Sequence, residues 1–581
     1  MSSSSNATPY RFRIHYDSPA TQFLQIEARI PAPGEHLLLR LPVWRPGRYE
    51  LANYAKYVRD FRVSDAKGKP LNVKKYIKDG WCIDTSAVDE VFVQYDFYAN
   101  RLDAGGCWLD EEQLYVNFVN CIFFSEEALD VPYEVSLDVP TGYEIACALP
   151  RKDKTLYARD YYHLIDSPMI ASATLKRNFY QVGQYTFYVW IQGNWTPDWH
   201  ELLRDFEGFT KAQLDMMGEF PFEEYHFLIQ VVPYRFYHGV EHTESTVVVL
   251  GPSEAMDTNE MYDELLGVCS HELFHVWNVC RVRPKELFPY DLTRECYFPT
   301  GFVVEGITSY YGDLFLIRSG VWKYNQYLRE LNKYIKRHFE NYGRHHRSLV
   351  EASVDLWLDG YTEVTPGRKV SIYAKGALVA LILDFLIRKH SNGKASLDDV
   401  MRKMWHRFGK PFKKGYSLRD FKNIVAEVAG NPLHSFFADC IEGITPLEKY
   451  LEPLMEEVGI SFITNYLNKG TELFNFQLQE KEGRLLVSAI VPDSNASQQL
   501  RLNDELIAVN GKRAETIEQV QRLIGVQTVA RLTVSRQAYL KEIELEADPV
   551  ISFKEYFLQL KSNLSQEQQK RLLAWLHQSN N

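Results

Sequence analysis

The chain has 581 residues, 45% of them hydrophobic, so it is long enough for about three or four domains with sizeable cores. Its 65 basic and 76 acidic side chains give a formal net charge of −11 and form no basic stripe, which excludes the usual nucleic-acid-binding classes. The amino terminus has no signal-like region, and the longest apolar run, residues 376–387, is too short for a bilayer. The eight cysteines include no Cys-x-x-Cys pair, which favours reduced thiols. We therefore expect a cytoplasmic protein that does not bind membranes.

Residues 10 to about 175 consist of short alternating or apolar runs separated by Gly, Pro, Asp and Asn. This spacing predicts an all-β domain similar to a β-sandwich. Within it, residues 41–49, Leu-Pro-Val-Trp-Arg-Pro-Gly-Arg-Tyr, combine two prolines and a glycine with aromatic side chains. That composition predicts a rigid turn with a structural role.

The next segment mixes strand and helix patterns. In chain order they predict a strand, a helix and two further strands: residues 185–192, 197–217, 225–232 and 246–250. Residues 237–244, which include Glu241 and His242, are expected to form the loop between the last two strands.

A longer helical pattern follows and contains Ser-His-Glu-Leu-Phe-His at residues 270–275. Asp257 is the predicted N-cap, and His271 and His275 lie beside a continuous apolar stripe. Histidines at i and i+4 share one helix face, so both can bind one metal ion, and Glu272 lies close enough to orient a metal-bound water. A lone core histidine is usually only hydrogen-bonded, but this pair with a glutamate between favours metal binding.

A catalytic zinc ion needs a third protein ligand. Residues 300–314 predict a buried helix in which Glu305 is the only acid before Asp313. A carboxylate among apolar neighbours is costly unless it is paired or bound to a metal, so Glu305 is the candidate ligand. A carboxylate stabilised by the helix N-terminus is the alternative. Residues 370–384 open another buried helix with Tyr373 near its start, where a tyrosine is usually a residue of the core edge.

Helical patterns continue to about residue 455, short strands return after Gly459, and residues 565–577 form one amphipathic helical pattern. The sequence therefore predicts a multidomain α+β protein with four parts: an N-terminal β-domain (1–175), a mostly α-helical catalytic domain (176–455), a small domain (456–550) and a helical tail (551–581).

Five separated stretches resemble, in family order, the glycyl aminopeptidase family of zinc metallopeptidases: residues 41–49, 239–242, 271–284, 304–311 and 373–377. The resemblance implies a thermolysin-like (gluzincin) catalytic domain between an N-terminal β-sandwich-like domain and a C-terminal PDZ-like domain. The small domain departs from the family pattern, because its carboxylate-binding loop would be Leu-Phe-Asn-Phe at residues 473–476, without a glycine. Capture of a peptide carboxylate by the backbone of that loop, β-augmentation of another kind and packing on the catalytic domain therefore remain alternatives for this domain.

The resemblance also implies roles for individual residues. It implies three ligands of one zinc ion: His271, His275 and Glu305. Glu241, with His242 beside it in Gly-Val-Glu-His, resembles the glutamate that binds the substrate's α-ammonium group. Tyr373 resembles the tyrosine that hydrogen-bonds the oxyanion, and Glu272 is then the general base.

The resulting hypothesis is a zinc aminopeptidase that acts on peptides with a free amino terminus and prefers Gly or Ala there. One alternative is an aminopeptidase of broader specificity or a related hydrolase of the leukotriene-hydrolase type. An alternative of another class is a peptide-binding scaffold with a vestigial metal site, in which the PDZ-like domain binds a peptide or protein.

Overall fold

The computed structural model of the chain describes residues 8–32, 34–362, 364–467, 469–548 and 553–578. The amino-terminal residues 1–7 and the predicted boundary at residues 549–552 lie outside this range. The chain forms two compact units. The larger unit comprises Met1–Glu330, Gly343–Tyr450 and Lys570–Asn581, and the smaller one comprises Leu331–Tyr342 and Leu451–Gln569. Across the described ranges, no helix combines the length and apolar character needed to cross a bilayer.

The N-terminal part of the larger unit is rich in β-strands, as predicted. Its strands are β1 Tyr10–His15, β2 Phe23–Pro31, β3 His36–Arg40, β4 Val58–Ser64, β5 Val73–Ile77, β6 Gly80–Asp84, β7 Glu90–Tyr98, β8 Cys107–Leu109, β9 Gln113–Val116, β10 Tyr133–Leu137, β11 Glu144–Cys147, β12 Arg151–Lys152, β13 Thr155–Ala158 and β14 Met169–Ser172. Two short helices, α1 Phe118–Cys121 and α2 Tyr161–Ile165, lie between them.

These strands form three sheets. The largest has the order β12-β13-β10-β1-β2-β7-β4, and the others have the orders β11-β14-β9-β8 and β3-β6-β5. Alternate residues of β2 and β7 are buried because one face of the large sheet packs on the core.

A five-stranded sheet follows in the region predicted to be mostly helical. Its strands are β15 Lys176–Val182, β16 Tyr185–Gly193, β17 Glu224–Val231, β18 Phe236–Glu241 and β19 Ser245–Gly251, in the order β15-β16-β17-β19-β18. The central strands β17 and β19 are parallel and almost wholly buried, as expected of a sheet covered on both faces. The prediction of a loop at residues 237–244 is wrong for residues 237–241. These residues belong to the edge strand β18 and pair with β19. Its glycine and lack of alternation hide this strand in the sequence.

Helices build the remainder of the larger unit and lead into the smaller one. They are α3 Trp199–Met217, α4 Asn259–Phe274, α5 Ile307–Arg318, α6 Tyr324–Phe339, α7 Leu349–Val354, α8 Leu356–Asp359, α9 Ala374–His390, α10 Leu397–Met404, α11 Leu418–Ala429, α12 His434–Phe436 and α13 Glu448–Glu456. The N-cap of α4 is Thr258, whose hydroxyl accepts from the backbone N–H of Met261. The predicted cap, Asp257, instead accepts a hydrogen bond from Trp195 Nε1 at 2.9 Å.

The smaller unit contains two antiparallel sheets. Its elements are β20 Ile460–Leu467, β21 Phe476–Lys481, β22 Arg484–Ile490, α14 Asn495–Gln499, β23 Glu505–Val509, β24 Lys512–Arg513, α15 Ile517–Ile524, β25 Val529–Arg536, β26 Tyr539–Glu546 and β27 Phe553–Leu560. Strands β21, β22, β23, β25 and β26 are neighbours in that order, and β20 pairs with β27. The prediction of a helical tail at residues 551–581 is wrong for Phe553–Leu560, because these residues form β27. Within the tail, Gln566–Leu576 form the helix α16.

A buried ion pair joins three helices of the larger unit. Arg318 of α5 forms two hydrogen bonds of 3.1 and 3.0 Å to the carboxylate of Asp398 in α10. Arg318 also donates to the backbone carbonyl of Trp575 in α16, and the Tyr311 hydroxyl donates to Asp398. Removal of the arginine would leave a buried carboxylate without its cation, which is far more costly than the loss of an exposed pair.

We therefore expect Arg318→Met to destabilise the larger unit by about 3–5 kcal/mol and to lower its thermal unfolding midpoint. The matched control is Arg11→Met, which removes an exposed pair with Glu134 and should cost less than about 1 kcal/mol. Differential scanning calorimetry measures both, and equal midpoints for the two variants would contradict this account.

Candidate metal centre

The three side chains expected to bind zinc meet at one point. His271 lies in the last turn of α4, His275 is its C-cap, and Glu305 lies in a π-helical turn, Phe302–Gly306, directly before α5. Glu305 Oε2 is 3.8 Å from His271 Nε2 and 3.4 Å from His275 Nε2, and the two imidazole nitrogens are 3.1 Å apart. Zinc bonds of about 2.0–2.1 Å at tetrahedral angles separate ligand atoms by about 3.3 Å. The three atoms therefore fit one zinc ion.

Asn278 ties the histidine pair to the turn that carries Glu305. Its backbone carbonyl accepts a 2.9 Å hydrogen bond from His275 Nδ1, which leaves Nε2 for the metal. Its side-chain Nδ2 donates to the carbonyls of Val303 and Val304 and to the Thr308 hydroxyl at 2.8, 3.2 and 3.0 Å. The sequence motif contained Asn278, but its spacing gave no role for the side chain.

The π-helical turn also packs closely on the start of α9. A Cβ at Gly306 would lie 2.5 Å from the Cα of Gly376, so only glycine permits this approach. The contact brings Tyr373, which precedes α9, near Glu305. Burial raises the pKa of the Tyr373 hydroxyl well above its usual range, and the charge of Glu305 adds to this shift. π-Helical turns occur frequently at functional sites, and a sequence pattern does not distinguish them from α-helix.

Glu272 is buried beneath the edge strand β18. A Cβ at Gly239 would lie 2.2 Å from Glu272 Oε1 and 2.7 Å from Val268 Cγ2, so the backbone of β18 passes directly over the carboxylate. The glycine in Gly-Val-Glu-His therefore makes room for the predicted general base.

The two residues predicted to bind substrate have different surroundings. Glu241, at the end of β18, joins Glu272 and His275 in a second cluster whose ligand atoms lie within 4.8 Å of one another. His242 belongs to neither cluster. Its ring is turned towards Asp166, with Nδ1 3.0 Å from Asp166 Oδ1. His242 instead lines a neighbouring cavity.

Burial and charge give these groups unusual proton affinities. Burial raises the pKa of Glu272 well above its usual range and also raises that of Glu241. Burial acts in the same direction on Glu305, but the imidazoles of His275 and His271 outweigh it and hold the Glu305 pKa at about 2. For His275, burial lowers the pKa, but Glu241 and Glu305 outweigh it and raise the value to about 10.

The cluster therefore holds three carboxylates and only two imidazoles in a buried site. The negative carboxylates together raise the pKa of His275, so its imidazole keeps a proton. A divalent cation that replaced this proton would supply a larger compensating charge. Imidazole nitrogen with carboxylate oxygen is also the donor set that zinc accepts in catalytic sites. The residues present fit the ion that the motif predicts.

The turn at residues 41–49 lies against this cluster, which the sequence did not predict. Gly47 has a φ of +79°, and a Cβ there would lie 2.6 Å from Glu241 Oε2. Tyr49 is fully buried, and burial, Glu305 and Glu241 raise its pKa well above the usual range. The two prolines and the glycine predicted a rigid turn, but no local pattern identifies what the turn packs against.

Tyr361 is a second residue that the sequence did not single out. Its ring lies under the guanidinium of Arg48, 4.8 Å from the centroid, and its hydroxyl lies near that of Tyr373. Only tertiary contact places it there, because the segment around it has no periodic pattern.

We expect Asn278→Ala to weaken zinc binding by about 10–100-fold, because second-layer groups that orient metal ligands have effects of that size. A competition titration with a fluorescent zinc chelator measures the affinity. The matched control is Asn120→Ala, which removes another buried amide that donates to a carbonyl, Gly105 O, in the N-terminal part. Equal affinities for both variants would contradict the role given to Asn278.

Comparison with known proteins connects this geometry to a family. A family model for the peptidase M61 N-terminal domain matches residues 11–173, and one for the M61 glycyl aminopeptidase matches residues 264–379. The second match contains the two histidines, Glu272, Glu305 and Tyr373 but begins after Glu241. No curated protein sequence gives a significant match.

One solved structure agrees with the family models over nearly the whole chain. An aminopeptidase N family protein from Idiomarina loihiensis is 25% identical with a TM-score of 0.88, over 98% of this chain and 100% of that one. An M1 zinc metallopeptidase from Deinococcus radiodurans is 14% identical with a TM-score of 0.48, over 75% of this chain and 94% of that one, a likeness too distant to bear on the site. The two family models and the Idiomarina structure show that the chain contains an M61 N-terminal domain and an M61 glycyl aminopeptidase domain and that it is a metallo-aminopeptidase.

Proposed function

We propose that the protein is a zinc-dependent aminopeptidase, with one zinc ion per chain, that removes N-terminal Gly or Ala residues from peptides. One observation carries the proposal: carboxylate oxygens of Glu241 and Glu272 and a nitrogen of His275 lie within 4.8 Å of one another. A group suited to hold the substrate's ammonium therefore adjoins both the base and the metal ligands. A peptide anchored at Glu241 presents only its first peptide bond to them.

The metal ligands in this proposal are His271, His275 and Glu305. Zinc bound there would lower the pKa of a water ligand to about 7 and polarise the scissile carbonyl. The protein's contribution is to hold three donor atoms at the required spacing, with the His275 ring fixed through Asn278.

Glu272 acts as general base and then as general acid. Its carboxylate accepts a proton from the attacking water and transfers it to the leaving amine. Burial raises the pKa of Glu272, which makes the carboxylate a better proton acceptor near neutral pH. The open space at Gly239 lets the carboxylate occupy this position.

Tyr373 and Glu241 bind opposite ends of the reacting residue. The Tyr373 hydroxyl remains protonated because burial and Glu305 raise its pKa, so it can donate a hydrogen bond to the developing oxyanion. Glu241 accepts charge-assisted hydrogen bonds from the substrate's α-ammonium group. The close packing of Gly47 on Glu241 supports a preference for small N-terminal residues.

We also propose that the four parts are an N-terminal β-sandwich-like domain (1–175), a thermolysin-like catalytic domain (176–455), a PDZ-like domain (456–550) and a tail (551–581). The six-stranded antiparallel sheet with α14 and α15 supports the PDZ-like assignment. In the loop before β21, Asn475 rather than glycine adopts a left-handed conformation, with φ of 66°. A ligand of this domain would therefore bind without a glycine-rich carboxylate loop.

The proposed function is tested by incubating the zinc-loaded protein with Ala-Ala-Ala and with its N-acetylated copy. We expect release of free alanine from the first peptide only, and among aminoacyl 4-nitroanilides we expect the Gly and Ala derivatives to be cleaved fastest. Glu272→Gln, with unchanged zinc content, should lower kcat by about 10²–10⁴-fold. Equal cleavage of both peptides would exclude the role of Glu241, and full activity in Glu272→Gln would exclude that of the base.

Gly239→Ala should displace the Glu272 carboxylate, because the added methyl group would lie 2.2 Å from Oε1. We expect kcat to fall about tenfold or more while zinc content stays at the wild-type level. Gly267→Ala is the matched control on α4, where the nearest atom to the added Cβ is 3.8 Å away, and it should leave kcat unchanged. The same kcat in both variants would show that β18 does not constrain the base.

A further inference from the structure

A cavity of about 370 Å³ lies next to the metal centre within the larger unit. Residues 242–244, which directly follow Glu241, form part of its wall, and Arg281, Arg283 and Tyr290 form another part. Pro46 also lines the cavity, and a Cβ on the adjacent Gly47 would lie 2.6 Å from Glu241 Oε2, so the cavity adjoins the proposed ammonium site. Its size is in the range of small-ligand pockets.

The two arginines in this wall keep free hydrogen-bond donors. Arg281 donates from Nε to the carbonyl of Gly409 at 3.2 Å, and Arg283 donates to the carbonyls of Val279 and Cys280 at 3.3 and 3.0 Å. Each guanidinium carries five N–H donors, so several remain on each. Over the described part of the chain, neither arginine forms an ion pair with a carboxylate.

Aromatic rings hold both guanidinium groups in the wall. Arg283 lies 3.9 Å from the ring centroid of Tyr290, and Arg281 lies 4.5 Å from that of Phe412. These contacts orient the arginines without neutralising their charge. Desolvation lowers the pKa of Arg281, and its neighbour Arg283 adds to the shift, as expected of a cation that lacks an anionic partner.

The acids that face the cavity are already engaged. Asp160 accepts from a backbone N–H of α2 and lies 3.4 Å from Arg159, which is also 3.9 Å from Glu244. Asp166 accepts a hydrogen bond from the backbone N–H of Thr243 at 3.1 Å and binds the His242 ring. The wall contains four arginines against these three carboxylates, so it keeps a net positive charge.

His242 adds a buried polar atom without a partner. Its side chain is only 6% exposed, and Nδ1 is bound to Asp166. Its Nε2 has no hydrogen-bond partner among the described residues. Buried polar atoms are usually satisfied, so this residue of the cavity wall retains one unused hydrogen-bonding atom.

We propose that this cavity binds a carboxylate group of the peptide substrate through the guanidinium groups of Arg281 and Arg283, with the His242 imidazole completing the site. The inference rests on the proposed aminopeptidase function and specifies its substrate class. Two sources share this chemistry: the α-carboxylate of a short peptide and the side chain of an acidic residue. In either case, Glu241 holds the positive end of the substrate and the arginines hold a negative group.

Binding is measured by calorimetry on the zinc-loaded Glu272→Gln protein, so that slow turnover does not consume the peptide. One pair of probes is Ala-Ala-Ala and its C-terminal amide, and the other is Ala-Glu-amide and Ala-Gln-amide. We expect the carboxylate member of at least one pair to bind about tenfold tighter or more, as charge-assisted hydrogen bonds predict. A preference in the first pair identifies the α-carboxylate, and one in the second identifies the side chain. Equal affinities within both pairs, or no binding at all, would overturn the proposal.

Arg281→Gln and Arg283→Gln, each in the Glu272→Gln background, should reduce the preference to about twofold or less. The matched control is Arg177→Gln, since Arg177 also lies over an aromatic ring, 5.3 Å from the centroid of Trp190, but outside the cavity. It should keep the full preference, and an equal loss in all three variants would overturn the proposal. Thermal unfolding midpoints confirm that each variant is folded.

Cleavage of Ala 4-nitroanilide by the wild-type protein separates this inference from the proposed function, because that substrate has no carboxylate. Cleavage without any carboxylate preference in the peptide pairs would overturn the cavity's role and leave the aminopeptidase function intact. Absence of cleavage in all assays would overturn the proposed function itself.

Discussion

Burial of three carboxylates beside two imidazoles is the constraint on which the rest of the larger unit depends. Glu241, Glu272 and Glu305 are each at most 7% exposed. A buried charge costs several kcal/mol unless other charges and hydrogen bonds compensate it. Burial raises the pKa of Glu272 and Glu241, while the imidazoles keep Glu305 in its charged form. A divalent cation bound among these side chains would stabilise the charged forms of all three carboxylates.

The groups in this cluster come from the ends of different elements. A helix C-terminus carries His275, an edge strand ends at Glu241, a π-helical turn carries Glu305, and Tyr373 precedes a helix. At the end of a helix or strand the regular backbone hydrogen bonding stops and the chain can change direction. Side chains at such positions can therefore converge on one point from several elements. The close backbone contacts at Gly239 and Gly306 then fix the distances between those ends.

The sequence predicts the parts of this site that depend on local spacing. Histidines at i and i+4 converge because of helix geometry, and Glu305 was found because an isolated acid among apolar residues needs a partner. The position of Glu241 depends on β18 lying at the sheet edge beyond β19, an order that is not sequential in the chain. Asp257 and Thr258 are both good N-cap residues, and only a tertiary hydrogen bond from Trp195 decides between them. Long-range pairing likewise explains why β27 was missed, since its partner β20 is distant in the chain.

The turn at residues 41–49 has a further consequence. It belongs to the part matched by the N-terminal family model, while the metal ligands and the base lie in the part matched by the peptidase model. The surroundings of Glu241 are thus built by two segments that lie far apart in the chain. Recombination that exchanged the first segment between relatives would change the backbone that packs on Glu241 and leave the segment of the metal ligands unchanged.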